Sequence, residues 1–169
     1  GIDKFYIHRK NIKLKKGMVF KFLCIQLNSK ILQKDYLQGI TKENISKVYD
    51  SLIRDKIVYF SLDAFLNSEC TDIDFKKDIL NDTFSKSTEI LRDMSKASKQ
   101  SKKGVNRFDT KVNKGIEWSN RRTASPSNPF LKIYSKVVQC LFDKAMIPFY
   151  EEYLKPQDIE NRIRIEYTL

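Results

Sequence analysis

Two short runs of β-forming residues, separated by a polar connection, stand in the second half of the chain. Residues 115–119 read Gly-Ile-Glu-Trp-Ser and residues 130–134 read Phe-Leu-Lys-Ile-Tyr, and the residues between them are rich in Arg, Ser, Pro and Asn. Pro and Asn interrupt strands, whereas β-branched and aromatic residues favour them. The pattern therefore predicts two strands joined by a loop.

The second of these strands carries a candidate nucleophile. Alternation places Lys132 and Tyr134 on one face and Leu131 and Ile133 on the other. If the apolar side packs inward, the lysine and the tyrosine share the open face, with Lys136 just beyond. A tyrosine among cations can act as a nucleophile because nearby positive charge favours the phenolate. An amphipathic strand with an ordinary half-exposed tyrosine has the same spacing.

The remaining elements predict the fold class. Strands are expected over residues 5–8, 17–27, 57–66, 68–75 and 162–169, and the strand over 17–27 is expected to be central because it is apolar on both faces. Helices are expected from Thr41 to Leu52, over 82–97, and over 137–154 with an interruption at Pro148. This order predicts an α+β fold with a mostly antiparallel sheet that carries helices on one face. The length of 169 residues predicts a single domain over residues 1–169. Because residues 162–169 resemble a strand cut in mid-run, we expect the natural chain to continue.

The charge of the chain points to a polyanionic partner. The net charge is +11, which favours nucleic acid first and an anionic membrane surface second. Residues 95–113 are rich in Lys and Arg, and we expect them to form a mobile basic loop that contacts phosphates through Lys102, Lys103 and Arg107. A solvated linker would have the same composition. No run of about 18 apolar residues is present, so no membrane-spanning helix is expected.

Histidine and cysteine usage excludes several kinds of site. His8 is the only histidine, so sites that need a histidine pair are excluded, including the two-histidine metal motif of many DNA-nicking enzymes. The three cysteines, Cys24, Cys70 and Cys140, are widely spaced and form no Cys-x-x-Cys motif. This spacing favours reduced, buried thiols in a cytosolic protein.

Carboxylates occur on two other predicted strands. Alternation places Asp72 and Asp74 on one face of their strand, and Arg164 and Glu166 on one face of the last strand. If these strands neighbour the strand of Tyr134, the sheet presents carboxylates beside a tyrosine and several cations. Oxygen ligands suit Mg²⁺ or Mn²⁺, and a metal with a positioned tyrosine makes a phosphoryl-transfer site. A solvated polar strand face would show the same alternation.

Three segments in this order resemble the replication initiators of filamentous phages and small rolling-circle plasmids. They are Thr-Asp-Ile-Asp-Phe at 71–75, Leu-Lys-Ile-Tyr-Ser-Lys at 131–136 and Arg-Ile-Glu at 164–166. In that family an Arg-Ile-Asp-like strand precedes a hairpin that ends in an apolar-x-Tyr-x-Lys pattern, and an Arg-apolar-Glu strand follows. Ile-Glu-Trp at 116–118 resembles the first strand of that hairpin. The resemblance covers about residues 57–169 and implies an HUH-nickase-like fold without the histidine pair.

The family's activity would be site-specific nicking and joining of single-stranded DNA, which initiates rolling-circle replication. By the resemblance, Tyr134 would attack a DNA phosphate, leaving a 5′-phosphotyrosine link and a free 3′-OH. Lys136 would stabilise the phenolate or the charge of the transition state. Asp74 and Glu166 would hold Mg²⁺ or Mn²⁺, or position the attacking group, with Asp72 as a further candidate ligand.

The resemblance also implies DNA contacts and partners. Arg164 matches the family's arginine and would contact DNA phosphate or orient Glu166. Arg121 and Arg122 stand near the family's hairpin arginine, and they and Lys132 are expected to contact DNA. The expected partners are single-stranded or hairpin origin DNA and a host helicase, without a membrane, in the cytoplasm of a bacterial host.

Two other functions fit the same residues. One is a non-catalytic nucleic-acid-binding module, in which basic and aromatic residues follow a strand by charge and stacking. The other is a basic protein associated with ribosomes or membranes.

Overall fold

The computed structural model describes residues 5–13, 17, 19–54, 56, 59–71, 73–98, 105–108, 115–118 and 130–168. The chain divides into two compact units, unit 1 (Gly1–Ser68) and unit 2 (Glu69–Leu169). The elements confirm an α+β chain with antiparallel sheets. The single domain and the HUH-nickase-like fold stay predictions.

Unit 1 contains a β-hairpin and two helices. Strand β1 (Phe5–Lys13) pairs antiparallel with β2 (Val19–Leu27), and these two strands form a sheet of their own. A 3₁₀ segment follows at Ser29–Gln38, then α1 (Ile45–Arg54) and α2 (Leu62–Leu66). The core combines the base of the hairpin with the helices; its buried members are Ile31, Leu32, Val48 and Leu52.

Side-chain hydrogen bonds lie at the start of the two helices of unit 1. Helix α1 was predicted to begin at Thr41 as the N-cap, but it begins at Ile45. Asn44, directly before the helix, accepts a hydrogen bond from the Thr41 N–H at 2.7 Å through its side chain. The strand predicted over 57–66 is wrong at Leu62–Leu66, which is helical because the Ser61 hydroxyl accepts from the Ala64 N–H at 3.1 Å.

The strand predicted over residues 17–27 was expected to be central in the sheet, and this is wrong. Its apolar residues on both faces are typical of a strand covered from both sides, but among the strands that the structure describes β2 pairs only with β1. Two of its large apolar residues, Phe22 and Leu23, are exposed.

Unit 2 is built on a five-stranded antiparallel sheet. Its strands, in spatial order, are β3 (Asp74–Leu80), β7 (Arg162–Thr168), β6 (Phe130–Ser135), β5 (Gly115–Trp118) and β4 (Val105–Phe108). Its helices are α3 (Phe84–Ser98), α4 (Lys136–Phe142), α5 (Ile147–Tyr153) and α6 (Pro156–Ile159). In the described part of the chain, no helix is both long and apolar enough to cross a membrane.

Most predicted elements of unit 2 are present. The two predicted central strands are β5 and β6, which are neighbours in the sheet, and the predicted final strand is β7. Strand β3 begins at Asp74 and not at residue 68, so the prediction was placed too early in the chain. Within the predicted basic loop at 95–113, residues 95–98 end α3 and Val105–Phe108 form β4.

Helix α3 packs on one face of the sheet. Leu91 of this helix forms a buried cluster with Ile133 of β6 and Ile163 of β7, with Leu131 and Ile165 packed around it. We call this side the apolar face and the opposite side the polar face. The predicted inward packing of Leu131 and Ile133 is thereby confirmed.

Gly115 lies where β5 and β6 approach each other closely. A Cβ atom at this position would collide with the Ile133 carbonyl oxygen and with Tyr134 Cβ. Both atoms are held by the backbone of β6 and cannot move aside as the end of a flexible side chain could. We expect Gly115→Ala to lower the free energy of unfolding by about 2–3 kcal/mol.

The measurement is urea unfolding monitored by tryptophan fluorescence, since the only tryptophan, Trp118, lies in β5. Glu117→Ala, in the same strand, is the matched control and should cost less than about 1 kcal/mol. Equal losses in the two variants would contradict the close approach.

Candidate functional site

The pairing register brings the predicted residues into two rows across the polar face. In one row Asp78 of β3 lies opposite Arg164 of β7, which lies opposite Tyr134 of β6. In the next row Lys76 lies opposite Glu166, which lies opposite Lys132. Residues paired directly across antiparallel strands share a face. The strand of Glu166 therefore neighbours the strand of Tyr134, whereas the strand of Asp74 is separated from it by β7.

Tyr134 is bonded to the carboxylate of Glu166. Its hydroxyl donates to Glu166 Oε1 at 2.6 Å, a diagonal contact between neighbouring strands. The face was expected to be open at this point, but Tyr134 is only 6% exposed. The carboxylate lies within the range required of a group that accepts the phenolic proton.

Arg164 is committed to an ion pair with Asp78. Its Nε donates to Asp78 Oδ1 at 2.7 Å and a terminal nitrogen donates to Oδ2 at 2.8 Å. Arg162 donates to the same Oδ2 at 2.8 Å. Burial alone would raise the pKa of Asp78, but the bonds and charges of the two arginines outweigh it and hold that pKa below its usual value. Arg164, predicted to contact DNA, is 1% exposed and serves here as the partner of Asp78.

Lys136 is a fully buried lysine at the start of α4. Its amine lies 5.8 Å from the centroid of the Tyr134 ring and donates to Gln139 Oε1 at 2.6 Å. Burial lowers the pKa of Lys136 to about 7, with a further contribution from the charge of Arg164, while Cys140 and Glu166 act in the opposite direction. Its amine can therefore change protonation near neutral pH.

Lys76 and Asp78 belong to this cluster and were missed in the sequence. Burial and the charge of Arg164 lower the pKa of Lys76 to about 8, against the opposing charges of Asp78 and Glu166. Both residues follow Asp74 at intervals of two, so an alternation continued beyond residue 75 would have placed them on the same face.

The described carboxylates offer two donors for a divalent cation. Asp74 lies at the exposed start of β3, opposite Thr168 and so diagonal to Glu166 on the same face. Such diagonal positions are roughly 7–8 Å apart. No cluster of three His, Cys, Asp or Glu side chains occurs among the described residues. Mg²⁺ is often held by one or two carboxylates together with a substrate phosphate and waters, so the metal site stays a prediction that rests on these two residues.

Of the other predicted site residues, one lies in the second row and the rest lie outside the cluster or outside the described residues. Lys132 is half-buried on the polar face between Glu166 and Glu117. Arg107 belongs to β4, and only its backbone is described. Asp72, Lys102, Lys103, Arg121 and Arg122 lie outside the described residues, so their predicted roles stay predictions.

Comparison of the chain with known protein families, curated protein sequences and solved structures found no match.

The Asp78–Arg164 pair generates a prediction about stability. Asp78→Ala leaves a fully buried guanidinium without its carboxylate, and we expect it to lower the free energy of unfolding by about 3–5 kcal/mol. The double variant Asp78→Leu with Arg164→Met removes both charges and should be more stable than Asp78→Ala. Chemical denaturation of the three proteins measures this, and a double variant that is less stable than the single one would contradict it.

Lys136 generates a prediction about pH. An unfolded lysine titrates near 10.5 and the folded one near 7, so between these values the unfolded chain binds a proton that the folded chain does not. Lys136 therefore destabilises the fold increasingly as pH falls from 10.5 to 7, and constantly below 7. We expect Lys136→Met to gain stability over the original protein as pH falls, by up to about 1.4 kcal/mol per unit.

Urea unfolding between pH 7 and 9.5 measures this difference. Lys77→Met, at an exposed position on the opposite face of β3, is the matched control. A Lys136→Met difference that does not change with pH would contradict the lowered pKa.

Proposed function

We propose that unit 2 is a phosphoryl-transfer module in which Tyr134 is the nucleophile. The observation that carries the proposal is the 2.6 Å hydrogen bond from the Tyr134 hydroxyl to Glu166, with the amine of Lys136 beside the ring. A nucleophile bonded to a carboxylate that can take its proton, next to a cation, is the arrangement that such chemistry requires. More narrowly, the protein is a DNA-nicking and joining enzyme of the replication-initiator type that the motifs resemble.

The reaction would proceed by one displacement. The Tyr134 oxygen bonds to a DNA phosphorus while its proton passes to Glu166, and the bond from phosphorus to the 3′ oxygen breaks. The departing oxygen takes up a proton and becomes a free 3′-OH, while the 5′ phosphate stays on the tyrosine. The reverse reaction joins the strand. Lys136, protonated when a phosphate is near, would stabilise the charge that develops on the phosphate oxygens.

A divalent cation would complete the site. Asp74 and Glu166 would hold Mg²⁺ or Mn²⁺ together with the phosphate, and the ion would neutralise charge on that phosphate. Because Tyr134 is buried, the groups that cover it must move when DNA binds.

A second candidate function is a nucleic-acid-binding module without catalysis. The observation that favours it is the burial of Tyr134 together with its satisfied hydroxyl, which is also what a structural tyrosine shows. Both functions predict salt-sensitive DNA binding, so only a covalent product separates them.

The test incubates the full chain and Mn²⁺ with a randomised pool of single-stranded and hairpin oligonucleotides labelled at their 3′ ends. Under denaturing conditions we expect a labelled band that migrates with the protein, because the 5′ phosphate of the downstream fragment is attached to it. Tyr134→Phe should abolish this band without changing DNA affinity, and EDTA should abolish it as well. Glu166→Gln keeps a hydrogen-bond acceptor but not a base, and should slow formation about 100-fold or more.

Tyr167→Phe is the matched control, since Tyr167 lies on β7 but on the opposite face of the sheet. It should form the adduct as the original protein does. An adduct that persists in Tyr134→Phe would show that Tyr134 is not the nucleophile. DNA binding without an adduct across the whole pool would support the binding module.

A further inference from the structure

The start of the chain has an unusual charge distribution. Residues 4–34 contain nine Lys or Arg and no Asp or Glu. Aromatic residues are interleaved with these cations, among them Phe5, Tyr6 and Phe22. This segment supplies both strands of the hairpin in unit 1. Four of the cations, Arg9, Lys10, Lys13 and Lys21, lie in these strands, and all four lie in the half of the hairpin away from its base.

The hairpin packs against the core of unit 1 at its base. Phe5, Ile7 and Leu27 belong to the apolar cluster. The pairing continues from there to Lys13 and Val19, which makes nine pairs and a ribbon about 30 Å long at 3.4 Å per residue. Among the described residues the ribbon forms a sheet of two strands. Such a ribbon is only marginally stable in water by itself, so its outer part is suited to a partner that covers it.

Both faces of the ribbon expose apolar side chains and polar or basic ones. On one face lie Tyr6, which is 54% exposed, Phe22, which is 44% exposed, and His8. On the other lie Leu23, which is 54% exposed, with Arg9 opposite it and Lys21 one pair further out. The partner must therefore surround the ribbon with negative charge and also offer apolar contact.

We infer that the β1–β2 ribbon is a DNA-binding arm that enters the major groove of duplex DNA. The groove is about 12 Å wide and admits a two-stranded ribbon. Its two walls carry phosphates, which Arg9 and Lys21 would contact, and its floor carries the methyl groups of thymine, which suit the exposed aromatic and aliphatic side chains. This binding uses unit 1 alone and does not depend on the chemistry proposed for Tyr134.

Three other polyanions fit the ribbon less well. An anionic membrane favours elements with all apolar residues on one face and cations on the other, whereas Phe22 and Leu23 lie on opposite faces. The deep, narrow major groove of duplex RNA does not admit protein elements in this way. A single strand stacks on aromatic platforms along a positively charged groove and would leave one face of the ribbon exposed.

The first experiment measures affinity of the full chain for duplex DNA as salt is varied. The double variant Arg9→Ala with Lys21→Ala should bind about tenfold more weakly, and its salt dependence should fall by about two phosphate contacts. The matched control is the double variant Lys42→Ala with Lys144→Ala, which removes the same charge at two exposed lysines outside the ribbon. It should change both quantities much less, and circular dichroism checks that both variants remain folded.

The second experiment needs no variant. A duplex carrying 5-iodouracil, whose iodine lies in the major groove, is photocrosslinked to the original protein. Mass spectrometry should place the crosslinks in residues 5–27, with Tyr6 and Phe22 as the expected acceptors.

Four results would overturn the inference. They are equal losses in the two double variants, crosslinks confined to other parts of the chain, tighter ribbon-dependent binding to a single strand of equal length, and ribbon-dependent binding to vesicles containing anionic lipid without binding to duplex DNA.

Discussion

The bidentate ion pair between Arg164 and Asp78 fixes the electrostatics of the polar face. Arg164 is almost completely buried, and a buried guanidinium is tolerated only with a carboxylate in close contact. Asp78 meets this need from the neighbouring strand and accepts from Arg162 as well. Burial is the main cause of the lowered pKa of Lys136 and Lys76, and the charge of Arg164, held at this point, lowers both further. The acid–base properties of the candidate site therefore depend in part on a pair that takes no part in the proposed chemistry.

The pairing register decides which groups meet Tyr134. A shift of one residue between β6 and β7 would move Glu166 to the opposite face and leave the phenol without its acceptor. The apolar cluster under α3, which joins Ile133 to Ile163, holds this register. The Arg164–Asp78 pair holds the register of β3 and β7, and the close approach of Gly115 to Tyr134 holds that of β5 and β6. The geometry of the candidate site thus follows from constraints on both faces of the sheet.

Alternation of residues made much of unit 2 predictable, and its limits explain what was missed. The pattern located β5, β6 and β7 and placed Tyr134 and Glu166 on one side of a sheet. It could not locate the start of β3, because residues 71–75 alternate as regularly as residues 74–80. It also could not predict the burial of Tyr134, since a period of two tells which residues share a face and not what covers that face. The helix at Leu62–Leu66 was missed because its apolar residues are too few for a helical period, and its capping serine was the only signal.

The burial of Lys136 has opposite consequences for the free protein and for a complex with phosphate. In the free protein, burial and the neighbouring cations favour the neutral amine, and this costs stability because the unfolded chain can bind the proton. A phosphate next to the amine would supply the negative charge that the cluster lacks and would favour the protonated form. Binding would then be coupled to the uptake of a proton by Lys136, and the attraction between the amine and the phosphate would offset part of the free-energy cost of burying the lysine. A group that looks unfavourable in the fold alone is in this way suited to a site whose ligand is an anion.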